Sequence, residues 1–469
     1  MLSTMELEEQ ITEPVSPMGQ YFNSSVLRIY IIGVLEFEVP IHDLQTMSLL
    51  QHVFLPINPR FSSIMNQEKN GEKSWKQVEV NLKDHVKTPI FPEGKTVEYY
   101  DKFFLDYLST ISVEQLPQER PLWQIHMINY PTNNASGTVI FKLHHALGDG
   151  YSLMGALLSC LQRVDDPSLP LSFPSLKPSK TESLSKRRFS WMLSSAFNTA
   201  SDFAWSVVKS SILNDDKTPI RAGDEGSDFQ PISISNLAFS IDQIKDIKSK
   251  LGVTVNDVVT GIVLYGTRLY MQDMDSKSKT SNSTALVLLN TRNIEGYQSI
   301  GDMLNTKTGG PWGNKISFLH VPIPKLSETR ISNPLEFIRE THNIIKRKKQ
   351  SLAVALTGTL LDIEGKFRGQ EKVAKHLRGT LTKSSAVIST LVGPVQQMSL
   401  ANHPVKGLYF TLAGGPESLV ISMMSYMGVI RVTLKTEKDF IDEQKLKSCI
   451  QGAFETILKA TREIPVETK

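Results

Sequence analysis

The sequence predicts an α/β protein with two domains. Its 469 residues are more than a single hydrophobic core usually fills. Short runs rich in β-branched and aromatic residues alternate along the chain with longer stretches whose apolar residues recur at helical spacing. Residues 165–186 contain four prolines and many serines, which is typical of a linker. We therefore predict an N-terminal domain at 1–164, a crossover at 165–229 and a C-terminal domain at 230–469.

The predicted N-terminal domain opens with an apolar strand at 26–34. A helix follows at 43–54, and residues 75–82 alternate apolar and polar side chains, as a half-buried strand does. Residues 97–111 place aromatic side chains on one face, which predicts a helix, and another strand starts after Pro121.

In the predicted C-terminal domain, Gly252 ends a helix at 241–251, as a C-cap glycine does. Thr254 begins the next helix, because it can form a capping box with Asp257. The remaining predicted elements are strands at 286–292, 313–324, 386–394, 418–425 and 429–434, and helices at 334–350 and 437–459.

The crossover contains a second pattern after its linker. Three basic residues at 186–188 precede a segment at 189–212 whose apolar residues recur every three to five positions. A basic start and an amphipathic pattern are typical of a helix that lies in a membrane interface. A helix that packs on its own domain fits the same pattern, and both interpretations stay open here. Asp202 argues against a transmembrane span, because an aspartate costs about 2.5 to 3.5 kcal/mol at the bilayer centre.

Composition excludes several classes of partner. The chain carries 51 basic and 48 acidic residues, a net charge of +3, which gives no electrostatic reason to expect nucleic acid. Two cysteines do not form a disulfide framework, so we expect a reducing, cytosol-facing environment. The first 25 residues show no secretory signal. Since no metal-ligand cluster and no phosphate-binding loop occur, we expect no metal and no cofactor.

The stretch from Phe141 to Gly150 carries the strongest chemical signal. Residues 138–141 are β-branched and aromatic, as in a buried strand, and helical spacing begins after Gly150. His144 and His145 therefore lie at a strand end, where side chains alternate between the two faces. Only one ring can face a given cavity, so we predict one catalytic and one structural histidine.

Three further residues shape the predicted turn from strand to helix. Gly148 and Gly150 permit backbone conformations that other residues avoid, which suits a tight turn with a ligand close by. Asp149 can accept hydrogen bonds from the turn or pair with a buried arginine.

Residues 144–150, His-His-Ala-Leu-Gly-Asp-Gly, resemble the active-site motif of the CoA-dependent acyltransferase superfamily. The doubled histidine and final glycine resemble most closely its wax ester synthase/diacylglycerol acyltransferase branch, and other segments resemble the plant-type members. The resemblance implies a two-domain, chloramphenicol acetyltransferase-like α/β fold, with mixed sheets flanked by helices and an active-site tunnel between the domains. It assigns the catalytic group to His145, His144 and Asp149. In that group His145 is the general base, His144 supports it, and Asp149 holds the loop.

The resemblance also implies three supporting residues. Gly150 belongs to the motif itself. Asn256 comes from an Asn-Asp motif, and Arg292 ends a strand that reads Asn-Thr-Arg. The resemblance pairs Arg292 with Asp149 across the two domains.

Three more segments extend the resemblance along the chain. Residues 121–123, Pro-Leu-Trp, match a family motif in which we expect the tryptophan to pack at a strand start. The stretch that begins Gly313-Asn314 matches a Gly-Asn-x-x-Ser/Gly pattern. Thr390 stands where the family's Ser-Asn-Val-Pro-Gly-Pro stretch has asparagine, so a side-chain amide role is in doubt there.

The resemblance implies acyl transfer from a long-chain acyl-CoA, as co-substrate, to a fatty alcohol or to diacylglycerol. The products are wax esters and triacylglycerol. A histidine can take the alcohol's proton at neutral pH, and no Gly-x-Ser-x-Gly motif occurs, so no acyl-enzyme is needed. Both acceptors partition into bilayers, so we expect a membrane surface as partner. The expected location is the cytosolic side of the endoplasmic reticulum membrane, with the plasma membrane as the alternative. The sequence predicts no particular oligomeric state.

Two other functions stay open. One is transfer to a different hydroxyl or an amine, as in soluble plant acyltransferases, which usually carry a single motif histidine and an Asp-Phe-Gly-Trp-Gly stretch that this chain lacks. The other is a non-catalytic lipid-binding protein of the same fold. The intact His145, Asp149 and Gly150 argue against that second function.

Overall fold

The computed structural model describes residues 13–41, 43–67, 73–173, 213–223, 230–292, 312–327, 333–349, 364–365 and 367–464. These residues form two hydrophobic cores, each containing strands of a mixed sheet. This arrangement confirms the predicted α/β class with two domains. The predicted helix at 189–212 lies outside the described residues.

Numbered in chain order, the strands are β1 Glu13–Pro14, β2 Tyr30–Phe37, β3 Ser63–Gln67, β4 Lys73–Gln77, β5 Val86–Lys87, β6 Trp123–Ile128, β7 Gly137–His144, β8 Leu161–Arg163, β9 Ile232–Ser240, β10 Thr284–Asn290, β11 Ile316–Pro322, β12 Ala386–Val392, β13 Met398–Leu400, β14 His403–Ala413, β15 Leu419–Tyr426 and β16 Val429–Glu437. The α-helices are α1 Pro17–Phe22, α2 Asp43–Leu49, α3 Leu55–Ile57, α4 Leu82–His85, α5 Val97–Val113, α6 Gly150–Ser159, α7 Ile241–Leu251, α8 Val255–Met274, α9 Pro334–Lys349, α10 Gln370–Lys383 and α11 Glu443–Arg462. A π-helical turn at Leu50–Phe54 joins α2 to α3, and 3₁₀ turns lie at Pro59–Ser62 and Ser276–Thr280. Among these helices, none is both long and apolar enough to cross a bilayer.

The first sheet has the order β5-β6-β7-β2-β14-β13-β8. All its neighbours are antiparallel except β5 and β6. Strands β13 and β14 follow β12 in the chain, so the domain predicted at 230–469 supplies strands to both sheets. A small sheet of β1, β4 and β3 stands apart from these two.

The second sheet has the order β11-β10-β12-β15-β16-β9, and β12 runs parallel to both of its neighbours. Its side chains alternate between two cores. Ile388 and Ile421 belong to the core that contains the helices of the second domain, whereas Val387 and Val420 belong to the core of the first domain. The second sheet is therefore covered by helices on one face and by the first domain on the other.

Helices α8 and α11 pack closely on that sheet. A Cβ atom at Gly266 of α8 would lie 2.5 Å from the Cα of Ile450 in α11, so only glycine allows this approach. The left-handed Gly252 ends α7, and Thr254 and Asp257 form the predicted capping box at the start of α8. Both end signals predicted from the sequence are confirmed.

Several elements differ from the predictions. Strands β9, β13 and β14 and helix α10 had not been predicted. The predicted strand at 26–34 is shifted to Tyr30–Phe37, and the one at 75–82 ends at Gln77. Asn81, which lies inside the predicted strand, instead caps α4 with its side chain, which accepts from the backbone N–H of Lys83.

Candidate active site

His145 lies immediately after β7, where the chain leaves the first sheet. Its backbone N–H donates to the carbonyl of Ile29 at 2.9 Å, which holds this position against the neighbouring strand. The ring packs 4.6 Å from the ring of Phe22, measured between centroids. It lines a cavity of about 80 Å³, here called the His145 cavity, whose walls are Ile31, His145, Asp149, Gly150, Tyr151, Leu288, Leu289, Asn290, Arg292, Ile316, Ser389, Thr390, Leu391, Phe410 and Leu412. These walls come from both sheets, as an active site between the domains requires.

Asn314 clamps His145 from the second domain. Its Nδ2 donates to the backbone carbonyl of His145 at 2.8 Å, and its Oδ1 lies 2.9 Å from Nδ1 of the ring. A carbonyl oxygen only accepts hydrogen bonds, so the carboxamide must turn its nitrogen toward the backbone and its oxygen toward the ring.

This clamp decides the tautomer of His145. Because the Asn314 oxygen can only accept, Nδ1 of the neutral ring must carry the proton, and Nε2 is left with a lone pair. Burial lowers the pKa of His145 below its ordinary value, and the nearby Asp149 charge partly opposes that effect. The ring is therefore neutral at pH 7 and has a basic nitrogen available in the cavity wall.

His144 points the other way, as strand alternation predicted. Its Nδ1 accepts from the N–H of Ala146 at 3.1 Å, and its ring meets the Tyr30 ring edge-on at 5.2 Å. Burial lowers the pKa of His144 to about 3, so this ring stays neutral. On the same side of the sheet, Nζ of the buried Lys142 donates to the carbonyl of Glu114 at 2.7 Å, and burial lowers its pKa to about 8. His144 does not line the His145 cavity, which fits the supporting role and not contact with substrate.

The predicted pair of Asp149 and Arg292 is present. Both guanidinium nitrogens donate to the carboxylate, Nη1 to Oδ2 at 2.7 Å and Nη2 to Oδ1 at 3.0 Å. The two side chains are 1% and 2% exposed, so this is a buried, bidentate ion pair between the domains. Asp149 also accepts from the N–H of Ser152 at 3.1 Å and so caps α6.

The segment 312–315 of the second domain lies across this motif. Its Gly313 carbonyl accepts from Nη2 of Arg292 at 2.7 Å, and its Gly313 N–H donates to Oγ of Ser152 at 3.0 Å. The indole N–H of Trp312 donates to the Leu147 carbonyl at 3.1 Å. One short segment therefore holds the motif turn, the ion pair and, through Asn314, the ring of His145.

Gly148 and Gly150 serve a different purpose from the one predicted. Neither has the positive φ that only glycine adopts freely, so the expectation of a special backbone conformation was wrong. Steric packing favours glycine at position 150 instead, because an added Cβ would lie 3.1 Å from Cδ2 of Leu391 in β12. At Gly148 an added Cβ would lie 3.0 Å from the Cβ of Ser152.

The other predicted residues lie further from the ring. Trp123 is buried, and its indole N–H donates to the Phe61 carbonyl at 2.8 Å, which confirms the expected packing role. Asn256 lies in the first turn of α8 and is not part of the wall of the His145 cavity. Its carboxamide oxygen has no hydrogen-bond partner among the described residues. The neighbouring Asp257 is occupied by the capping box and by Nδ1 of His342 at 2.8 Å.

Two family models match this chain. The model of the wax ester synthase/diacylglycerol acyltransferase catalytic domain matches residues 54–259, and the model of the C-terminal domain of the same family matches residues 312–458. Together the two ranges cover most of the chain. The chain belongs to the wax ester synthase/diacylglycerol acyltransferase family. It is accordingly an O-acyltransferase by family, and the first range contains the motif at 144–150 while the second contains Asn314.

Relatives from this family span nearly the whole chain. Wax ester synthase/diacylglycerol acyltransferase 7 of Arabidopsis thaliana is 29% identical over 458 residues, which cover 92% of this chain and 94% of the relative. Wax ester synthase/diacylglycerol acyltransferase 6 of the same plant is 28% identical, and the match covers 98% of this chain and 95% of the relative.

Solved structures support the same fold. The wax ester synthase/diacylglycerol acyltransferase from Marinobacter aquaeolei VT8 superposes with a TM-score of 0.59 at 14% identity, covering 96% of this chain and 99% of that one. The starter condensation domain of rhizomide synthetase gives a TM-score of 0.54 at 10% identity, over 96% of this chain and 95% of its own. At these identities the likeness is one of fold, and it agrees with the fold expected of the family.

Sequence reasoning did not identify three contributors to the site. Asn314 lay in a recognised family stretch but had no predicted role, because its partner is a ring in the other domain. Ser152 was hidden in the apolar pattern of α6. Ser389 lines the His145 cavity beside Thr390, the position noted for lacking an asparagine.

Proposed function

We propose that this enzyme transfers a long-chain acyl group from acyl-CoA to a long-chain fatty alcohol, which gives a wax ester. Diacylglycerol is the second acceptor, and it gives triacylglycerol. The observation that carries the proposal is His145, a buried ring that lines a cavity between the domains and whose Nδ1 contact with Asn314 leaves the basic lone pair on Nε2. Family membership supports the reaction class, and the apolar walls support lipid substrates.

His145 acts as the general base. Its Nε2 takes the proton of the alcohol while the alcohol oxygen attacks the thioester carbonyl carbon. The tetrahedral intermediate then breaks its carbon–sulfur bond, and the leaving CoA thiolate takes the proton back from His145. The ester and free CoA are the products, and His145 returns to its neutral form. Asp149 holds the loop and is neutralised by Arg292, so it does not need to accept the proton.

The oxyanion of the intermediate needs a donor at the cavity wall. Asp149 and Arg292 are engaged with each other, and the Asn290 oxygen accepts from the N–H of Arg292 at 3.0 Å. The Ser389 hydroxyl lies on the face of β12 that points to the first domain, and we assign the donor to it. One such donor is worth about 2.7 to 4 kcal/mol, so Ser389→Ala is expected to lower kcat by about 100-fold or more. An unchanged kcat would exclude this hydroxyl.

The decisive assay measures free CoA thiol released from palmitoyl-CoA with hexadecanol, with diacylglycerol and without acceptor. Wild type should release CoA with at least one acceptor well above the control without acceptor, and His145→Ala should abolish that difference. Equal rates for the two proteins would contradict catalysis by this ring. Release with a phenol or an amine but with neither lipid would favour the other acceptor class, and no release at all would favour a lipid-binding protein.

We also propose that the enzyme works at the cytosolic face of the endoplasmic reticulum membrane. Lipid substrates that reside in a bilayer and the basic, amphipathic sequence at 186–212 support this location. Deleting residues 187–213 should move the protein from the membrane fraction to the soluble fraction after cell lysis. Membrane association that survives the deletion would contradict the role given to this segment.

A further inference from the structure

A second cavity adjoins the His145 cavity. It has a volume of about 40 Å³ and lies between α6 and the strands β2, β7, β12, β14 and β15. Its walls include Gly33, Phe141, Met154, Leu157 and Met424, and Tyr409 contributes the only polar side chain of the lining. We call it the apolar cavity. A void with such walls offers water no set of hydrogen-bond partners, so an apolar group is its natural occupant.

The two cavities share part of their walls. Ile31, Gly150, Leu391 and Phe410 line both. A carbonyl carbon or hydroxyl that reacts beside His145 therefore lies within a short chain length of the apolar cavity. Two of these shared residues, Gly150 and Leu391, are the pair whose close approach is described above.

We propose that the apolar cavity receives part of the alkyl chain of one substrate and that Gly33 limits how much of the chain fits there. The proposal rests on the function proposed above. The chemistry recognised is an unbranched hydrocarbon chain, which the acyl donor and the alcohol both carry, and the experiment below distinguishes the two sources.

Gly33 is a wall position where a side chain can be added with little steric conflict. It lies in the middle of β2, paired with Phe141 on one side and Phe410 on the other. A Cβ added to Gly33 would meet only the Cβ of Phe141, at 3.9 Å, which is an ordinary van der Waals contact. The Cβ of a larger side chain there would therefore fit without strain, and the rest of the side chain would take up space in the cavity. Valine suits the strand backbone, and its two methyl groups would take up space that the substrate chain would otherwise fill.

The test is the chain-length profile of Gly33→Val. One arm varies acyl-CoA from eight to eighteen carbons with a fixed alcohol, and the other varies the 1-alkanol with a fixed acyl-CoA. In the arm whose chain enters the cavity, kcat/KM for long chains should fall about fourfold for each methylene that no longer fits, and the optimum should move to shorter chains. Gly452→Ala, where an added Cβ meets nothing within 4 Å, is the matched glycine control and should keep the wild-type profile.

A second variant keeps the proposal open to refutation if Gly33→Val does not fold. Met154→Ala enlarges the same cavity from α6 and should move the optimum of the same arm to longer chains. Parallel wild-type and variant profiles in both arms, for Met154→Ala and for a folded Gly33→Val, would overturn the inference. Failure of the wild type with every pair of substrates would instead overturn the proposed function.

Discussion

The clamp on His145 predicts a specific difference between two substitutions of Asn314. Asn314→Leu keeps the size of the side chain but removes both of its hydrogen bonds, to the ring and to the backbone carbonyl. Asn314→Asp keeps an acceptor opposite Nδ1. If the tautomer matters, the aspartate variant should retain more activity than the leucine variant.

The magnitude follows from the contacts. Losing the partner of a buried polar group costs about 1 to 3 kcal/mol, and a cost of that size in the transition state lowers the rate about 5- to 150-fold. We therefore expect kcat of Asn314→Leu to fall by about 10- to 100-fold. In Asn314→Asp the carboxylate stabilises the protonated ring, so the pKa of His145 rises and the acid limb of the kcat/KM profile moves to higher pH.

The assay combines CoA release from palmitoyl-CoA and hexadecanol with nitrogen NMR of the enzyme labelled at histidine. In the wild type the His145 signals should show a protonated Nδ1 and an unprotonated Nε2, and in Asn314→Leu that preference should weaken. Asn343→Leu, an exposed asparagine on α9, is the control. A leucine variant with wild-type kcat and unchanged nitrogen shifts would refute the reasoning, as would an aspartate variant whose rate and pH profile match those of the leucine variant.

Three further predictions concern charge. Asp149→Asn keeps a residue that can cap α6 but leaves Arg292 buried without its counter-ion. The free energy of unfolding measured in urea should therefore fall by about 3 to 5 kcal/mol, and a change below about 1 kcal/mol would contradict a buried ion pair. Burial lowers the pKa of His145 below 6.5, and the neutral ring is the base. We therefore expect kcat/KM to stay constant above pH 6.5 and to fall only as the pH drops through the lowered pKa of His145. An acid limb centred above pH 6.5 would be inconsistent with this. Lys142→Met should raise the free energy of unfolding at pH 7 by about 1 to 3 kcal/mol, since the wild type buries a charge there. The pKa of Lys142 is lowered from 10.5 to about 8, so the folded wild type loses its proton first and gains stability between pH 8 and 10.5. The difference in free energy of unfolding between Lys142→Met and the wild type should therefore be smaller when the urea titration is repeated at pH 10. A difference that grows with pH would contradict this prediction.

The parts of the site that could be predicted from sequence lie close together in the chain or belong to a family pattern. His145 and Asp149 are four residues apart. Strand alternation predicted that only one of the two histidines faces a cavity, and the family pattern identified that one as His145. Arg292 was predicted only because the family pattern pairs it with the motif. Asn314 was not, because its role depends on a carboxamide oriented by a backbone carbonyl of the other domain, and no periodicity encodes that contact.

The fold was predictable to a similar extent. Local end signals such as Gly252 and the Thr254–Asp257 capping box placed helices correctly. Strand β14 was missed because nearly all its side chains are buried, so it lacks the alternation that marks a strand with one exposed face. Its pairing with β2 also joins opposite ends of the chain, and a local pattern cannot reveal such a partner.

The position of β14 has a consequence for synthesis of the protein. On the ribosome, β2 and β7 emerge early, but β14 and β13 are made only after most of the second sheet. Until residue 413 has left the exit tunnel, β2 presents an open edge of unpaired N–H and C=O groups, and β8 has no neighbour in the sheet. Such an edge is a template for misassociation of nascent chains. The first sheet therefore cannot be completed until β13 and β14 have been made. A truncation before residue 403 would leave that edge exposed for good, and it would also remove Phe410 and Leu412 from the wall of the His145 cavity.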